Sequence, residues 1–193
     1  MRANRCARVC ARLILLVIVT ATALLAPPPP LFAADAPAAE ADPPATVPAV
    51  GRAWPVGLRP RVLRGWEPPA TAYGPGHRGV DLAAPAGTPV RTVAPGRVAF
   101  TGRVAGRGVV SVDLTGTGDP PLRTTYEPVT ATVEEGAEVE PGEVIGTVDA
   151  DGSHCTAPCL HWGLRRADTY LNPLSLLPPW LLHRGPSRLL PLA

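Results

Sequence analysis

The chain has 193 residues, 46% hydrophobic and 5% aromatic, with 26 prolines and 19 glycines. Its 18 basic residues are all arginine and face 16 acids, a formal net charge of +2. So even a balance gives no electrostatic footprint for nucleic acid, and the absence of lysine excludes chemistry that needs a side-chain amine.

The N-terminal stretch carries Arg2, Arg5, Arg8 and Arg12 and no acid. An apolar run of 14 residues, Leu13 to Ala26, follows, and then four prolines and LFAADA. This charged, apolar and small-residue order predicts a secretory signal peptide over 1–33, with Ala33 or Ala36 suited to cleavage. The run is shorter than the roughly 20 residues that span a bilayer as a helix. Cys6 and Cys10 precede it, where neither can serve as a lipid-anchor cysteine. The expectation is an exported protein with no membrane attachment after cleavage. Losing the leader removes four arginines and leaves 14 basic residues against 16 acids, so the net charge becomes −2.

Residues 34–53, AADAPAAEADPPATVPAVGR, contain no aromatic residue. They bury too little apolar surface to offset their ordering entropy and read as a Pro/Ala-rich linker. Residues 54–180 read as one folded domain, of ordinary size. The stretch 181–193, LLHRGPSRLLPLA, has no clear period and reads as a C-terminal tail.

Within the domain, GTPVRTV, GRVAFTG, GVVSVDL, RTTYEPV, ATVEEG and EVIGTV are short runs rich in Val and Thr, separated by Gly and Pro. Short strands at such spacing predict an all-β fold, a small antiparallel sandwich or barrel. GTPVRTVAPGRV and GAEVEPGEVIGTV share a rhythm, as the halves of lipoyl or biotinyl carrier domains do. Those carriers attach their cofactor to a lysine, which this chain lacks. The rhythm predicts instead two similar β-hairpins.

Four histidines stand at positions 77, 154, 161 and 183. His77 opens H-R-G-V-D, with Asp81 four residues on. A fully extended step of that length covers about 13 Å, so Gly79 is expected to let the backbone bend. Imidazole and carboxylate are both ordinary zinc donors. His161, in Leu160-His-Trp-Gly, is the candidate third ligand. Two imidazoles and one carboxylate leave a fourth position for water, which is the catalytic zinc pattern. By spacing alone, a merely packed or hydrogen-bonded pair accounts for H-x-x-x-D equally well.

GHRGVDLAAPAGTPVRTVAPGRV, TTYEPV, GAEVEPGEVIGTV and CLHWGL together resemble the lysostaphin and LytM-type peptidoglycan endopeptidases, from about Trp54 to Pro173. The resemblance implies a small antiparallel β fold, Zn2+ bound by His77, Asp81 and His161, and hydrolysis of cell-wall peptides by zinc-activated water. It implies a secreted, cell-wall-associated monomer with peptidoglycan peptides as partners. The family's two further histidines, which serve the attacking water and the oxyanion, fall on Pro128 and Cys159. Proline exchanges no proton. Tyr126 keeps the family's position and is a candidate for oxyanion stabilisation; a strand aromatic packed in the core is the equal alternative. Glu127, next on the same strand, points away from Tyr126's face and receives no role.

Cys155 and Cys159 are the cysteines that follow the leader. Exported thiols pair, and C-T-A-P-C can bring two alpha carbons within disulfide reach. A Cys-Cys-His zinc cluster and a redox pair are the weaker alternatives. His154 is either a replacement base or, as favoured here, an exposed loop histidine. His183 reads as structural or exposed, and Trp162 as core or groove wall. Two functions follow: a zinc metalloendopeptidase, or a non-catalytic module of the same fold that retains the metal and binds peptidoglycan or serves regulation.

Overall fold

The computed structural model describes residues 47–71 and 73–183. The expected leader, residues 34–46 of the expected linker and residues 184–193 of the expected tail lie outside the described residues. Among the described residues no helix is long and apolar enough to cross a membrane.

Among the described residues, eleven strands form two antiparallel sheets. In chain order they are β1 (Val62–Arg64), β2 (Gly79–Ala83), β3 (Pro89–Arg91), β4 (Gly96–Val104), β5 (Arg107–Leu114) and β6 (Leu122–Glu127). Then come β7 (Val129–Ala131), β8 (Glu138–Val139), β9 (Val144–Val148), β10 (Cys159–Arg166) and β11 (Thr169–Leu171). The larger sheet runs β1-β2-β10-β6-β5-β4-β8, with β11 also on β10; the smaller runs β3-β9-β7. The all-β antiparallel expectation holds.

Two local expectations change. ATVEEG is not a strand, because only Ala131 belongs to β7 and the rest turns through Gly136, whose φ is +89°. The two repeated segments do not fold into a hairpin each. They pair with one another, β3 with β9 and the start of β4 with β8. The Pro95-Gly96 and Pro141-Gly142 corners carry the chain between sheets instead of reversing it within one.

One hydrophobic cluster draws on both sheets, with Val80, Trp162 and Tyr126 from the larger and Val90, Ile145 and Val129 from the smaller. Strand β6 shows the cause most plainly. Leu122, Thr124 and Tyr126 are buried, whereas Arg123, Thr125 and Glu127 alternate to the outer face and are half-buried. Alternation at period two sends every second side chain into the core. Trp162 meets its one polar need there, donating from Nε1 to Thr124 Oγ1 at 2.7 Å.

The ordered domain extends past both expected boundaries. Residues 47–53, assigned to the linker, pack on the core: Gly51 N donates to Leu176 O at 2.7 Å and Arg52 N to Val93 O at 2.8 Å. A Cβ at Gly51 would stand 2.8 Å from Leu176 O, so this close approach needs glycine. Leu181, assigned to the tail, accepts hydrogen bonds at its carbonyl from Trp54 Nε1 (3.2 Å) and Arg59 Nη2 (3.1 Å). An indole N–H at a core edge needs an acceptor, and the short helix Pro179–Leu182 provides it.

Candidate metal centre

Strands β2 and β10 lie side by side with His161 opposite Asp81. His77 stands just before β2, held by a two-way backbone bridge to Glu67. The three side chains therefore converge: His161 Nδ1 is 2.8 Å from Asp81 Oδ1, His77 Nε2 is 3.1 Å from the same oxygen, and the two ring nitrogens are 3.2 Å apart. His77 and Asp81 are buried.

Gly79 has a sharper role than the expected bend. A Cβ there would lie 2.6 Å from His161 Nε2 and 2.4 Å from Trp162 O. The missing side chain is the space in which the His161 imidazole sits.

The donor set fits a metal ion. His77 Nδ1 donates to Gly65 O at 2.6 Å, which leaves Nε2 with its lone pair aimed at the cluster. Such an outward N–H bond to a carbonyl is the usual support of a metal-binding histidine. Donors about 2 Å from one tetrahedral ion lie about 3.3 Å apart, close to the separations here. Burial raises the Asp81 pKa, but the His161 hydrogen bond and the charges of His77, His154 and His161 outweigh it, and the carboxyl is held below its ordinary value. It is an anion ready for a cation.

His154 is an exposed loop residue, as favoured by its sequence context, yet it is aimed at the cluster. Its Nε2 lies 3.1 Å from both oxygens of Asp81, and its side chain is 33% exposed. All four residues, His77, Asp81, His154 and His161, bring potential ligand atoms within 4.8 Å of one another. The adjacent Cys155 is disulfide-bonded to Cys159, with the alpha carbons 6.2 Å apart. Asp81 and His154 also lie near these two sulfurs, but a disulfide sulfur is no thiolate ligand. His183 is exposed.

Tyr126 belongs to the core. It is 0% exposed, its hydroxyl accepts from Val93 N at 3.4 Å, and burial pushes its pKa up to about 12. Its partner across β10 is Trp162 on the inner face, so it cannot reach the His161 side. The oxyanion role expected of it as one alternative is withdrawn. The same register places Glu127 opposite His161. Glu127 does point away from Tyr126's face, as the alternation predicts, and that outer face is the one that carries His161. Glu127 and His161 line a cleft of about 450 Å³, with Thr125 on its wall and Arg78, Arg165 and Tyr170 around it. Pro128 follows Glu127 through a cis peptide and is buried.

The profile of Peptidase family M23 matches residues 75–173, a span that includes all four residues of the cluster. An uncharacterized protein of Mycobacterium tuberculosis is 42% identical over 129 residues, 64% of this chain and 50% of its own length. The DD-carboxypeptidase/endopeptidase Mpg of Neisseria meningitidis is 38% identical over 103 residues, 53% of this chain and 23% of its own. This chain thus spans half or less of the length of both relatives. Among solved structures, the catalytic domain of the antimicrobial peptidase lysostaphin from Staphylococcus simulans shares the fold. Its TM-score is 0.51 at 24% identity, covering 64% of this chain and 93% of that one.

Proposed function

The chain belongs to peptidase family M23, and from that premise we propose that it is an exported zinc endopeptidase acting on peptidoglycan peptides outside the cytoplasm. The observation that carries the reading is the convergence of His77 Nε2, Asp81 Oδ1 and His161 Nδ1 within 3.2 Å of one another. The resemblance of the first motif and of CLHWGL to lysostaphin-type enzymes supports zinc as the ion. The similarity to Mpg, a DD-carboxypeptidase/endopeptidase, supports the peptidase activity.

His77, Asp81 and His161 would hold the zinc. Bound there, it supplies Lewis-acid polarisation of a carbonyl and acidifies a water. The remaining steps belong to the chain. Gly65 O fixes the His77 tautomer. The cleft beside His161 receives an extended peptide, whose backbone groups meet Thr125, and Arg78 and Arg165 at its edge suit a carboxylate on that peptide. Glu127 is the carboxylate on this face that can accept a proton from the attacking water and return it to the leaving amine. Such groups contribute about 10²–10⁴-fold to rate.

A second reading has its own observation. Pro128 and Cys159 stand where the family's two outer histidines are expected, and Cys159 is locked in a disulfide. On this reading the protein binds metal and wall peptides without cutting them.

The test is zinc analysis of the purified protein combined with digestion of peptidoglycan peptides. One zinc per chain and newly released amino termini are expected. Zinc-loaded protein that binds these peptides and cleaves none would establish the second reading. That result would be decisive if Pro128→His with Cys155→Ala and Cys159→His gained cleavage while the Cys155→Ala, Cys159→Ala control did not.

A further inference from the structure

Catalytic zinc sites present three protein donors and keep a fourth position for water, whereas four protein donors make a closed site. Here the fourth donor is in place. We propose that His154 is a protein ligand of this metal centre, alongside His77, Asp81 and His161, and that the Cys155–Cys159 disulfide is the device that keeps it there. The inference rests on the metal centre of the preceding reading and goes beyond it: in the resting chain His154 fills the position that a water takes in cleavage, and it must swing away before the centre can act.

The placement of His154 is specific. Its Nε2 is 3.1 Å from Asp81 Oδ1 and 3.1 Å from Oδ2, on the carboxylate that also meets His77 and His161. Its ring centroid is 5.3 Å from that of His161 and 6.2 Å from that of His77. No helix or strand fixes it, since residues 151–158 have no regular structure.

What fixes it is the adjacent crosslink. Cys159 is the first residue of β10, two before His161, and pairs with Ala83, two after Asp81. The disulfide thus ties the residue after His154 to the strand pair that carries two other donors. Ser153, on the other side of His154, has its Oγ 3.3 Å from Cys159 Sγ and accepts from Cys155 N at 3.3 Å. Both neighbours of His154 are therefore anchored to Cys159, which is itself 0% exposed.

The crosslink has little other use. A loop this short removes little entropy from the unfolded chain, so its stabilising effect on the whole fold is small. Its effect is local, and the local object is His154. A cleft of about 340 Å³, lined by Arg61, Arg64, His154 and Thr156, opens beside the ring and gives it somewhere to go when released.

Cobalt(II) alone, as a visible-absorbing substitute for zinc, tests the proposal on the full oxidised protein. Added azide reports an open coordination position by shifting the cobalt absorption bands. The parent should bind one cobalt whose spectrum azide leaves unchanged. His154→Ala should bind at least 10-fold more weakly and respond to azide. Cys155→Ser with Cys159→Ser, in which His154 is intact but untethered, should also respond to azide. A parent spectrum that azide shifts, or a His154→Ala variant that matches the parent in affinity and spectrum, would overturn the fourth ligand. A double-serine variant that stays silent to azide would overturn the latch. Failure of the parent to bind cobalt or zinc at all is a different result, and it would remove the metal centre of the proposed function itself.

Discussion

Glu127 and His161 face one another across the β6–β10 strand pair, in register and on the outer face of the larger sheet. Both line the same cleft. Pro128 cannot carry a proton and Cys159 is oxidised, whereas Glu127, the neighbour of Pro128, can. Glu127→Gln keeps size and polarity and removes only the basic oxygen. It should lower peptide cleavage about 10²-fold or more while zinc content and thermal unfolding stay at the parent values. Steady-state kinetics with metal analysis on the same samples check this, and an unchanged kcat would exclude the role.

The metal centre predicts a graded loss. Asp81 touches all three histidines, so Asp81→Ala should abolish zinc binding. His77→Ala and His161→Ala should each weaken it severely. Equilibrium competition with a chelator measures the affinities. Parent-like zinc binding by any of the three would show that the ligands are elsewhere.

Gly79→Ala tests the packing behind the site. Its Cβ would meet Trp162 O at 2.4 Å and His161 Nε2 at 2.6 Å. Backbone on one side cannot yield, so the imidazole must move. The expected result is a destabilisation of about 1–3 kcal/mol, of the size that overpacking costs, together with weaker zinc binding. Denaturant unfolding and zinc titration read the two effects, and a variant neutral in both would show that the sheet relaxes around the methyl group.

The parts of this architecture legible in the sequence were those written in contiguous stretches. RTTYEPV and GVVSVDL announced strands because their composition and period are local. His77 and Asp81 were legible for the same reason, four residues apart in a motif. The face of a strand was not. Alternation separates Tyr126 from Glu127, but only the pairing with Trp162 and His161 decides which points inward. His154 was illegible because its position depends on a carboxylate 73 residues away and on a crosslink. Nor could a shared rhythm tell that β3 pairs with β9 and β4 with β8.

Tyr126 supplies the remaining prediction, on stability and pH. Burial raises its pKa from 10.0 to about 12, because a phenolate in the core has lost its water. A group whose folded pKa is raised contributes stability that is complete below its unfolded value and is lost as pH rises through the folded one. The chain should therefore lose stability between about pH 10 and pH 12, by up to about 3 kcal/mol from this side chain. Tyr126→Phe removes the ionisation and should flatten that decline. At neutral pH it forfeits the hydroxyl's hydrogen bonds with Val93 N, Thr124 and Thr92, a cost of about 1 kcal/mol for each. Peptide cleavage should be unaffected, since the hydroxyl faces the core. Urea unfolding of both proteins at several pH values above 9 measures the difference. Parallel alkaline declines would show that other groups drive it, and a loss of cleavage in the folded variant would return Tyr126 to the site.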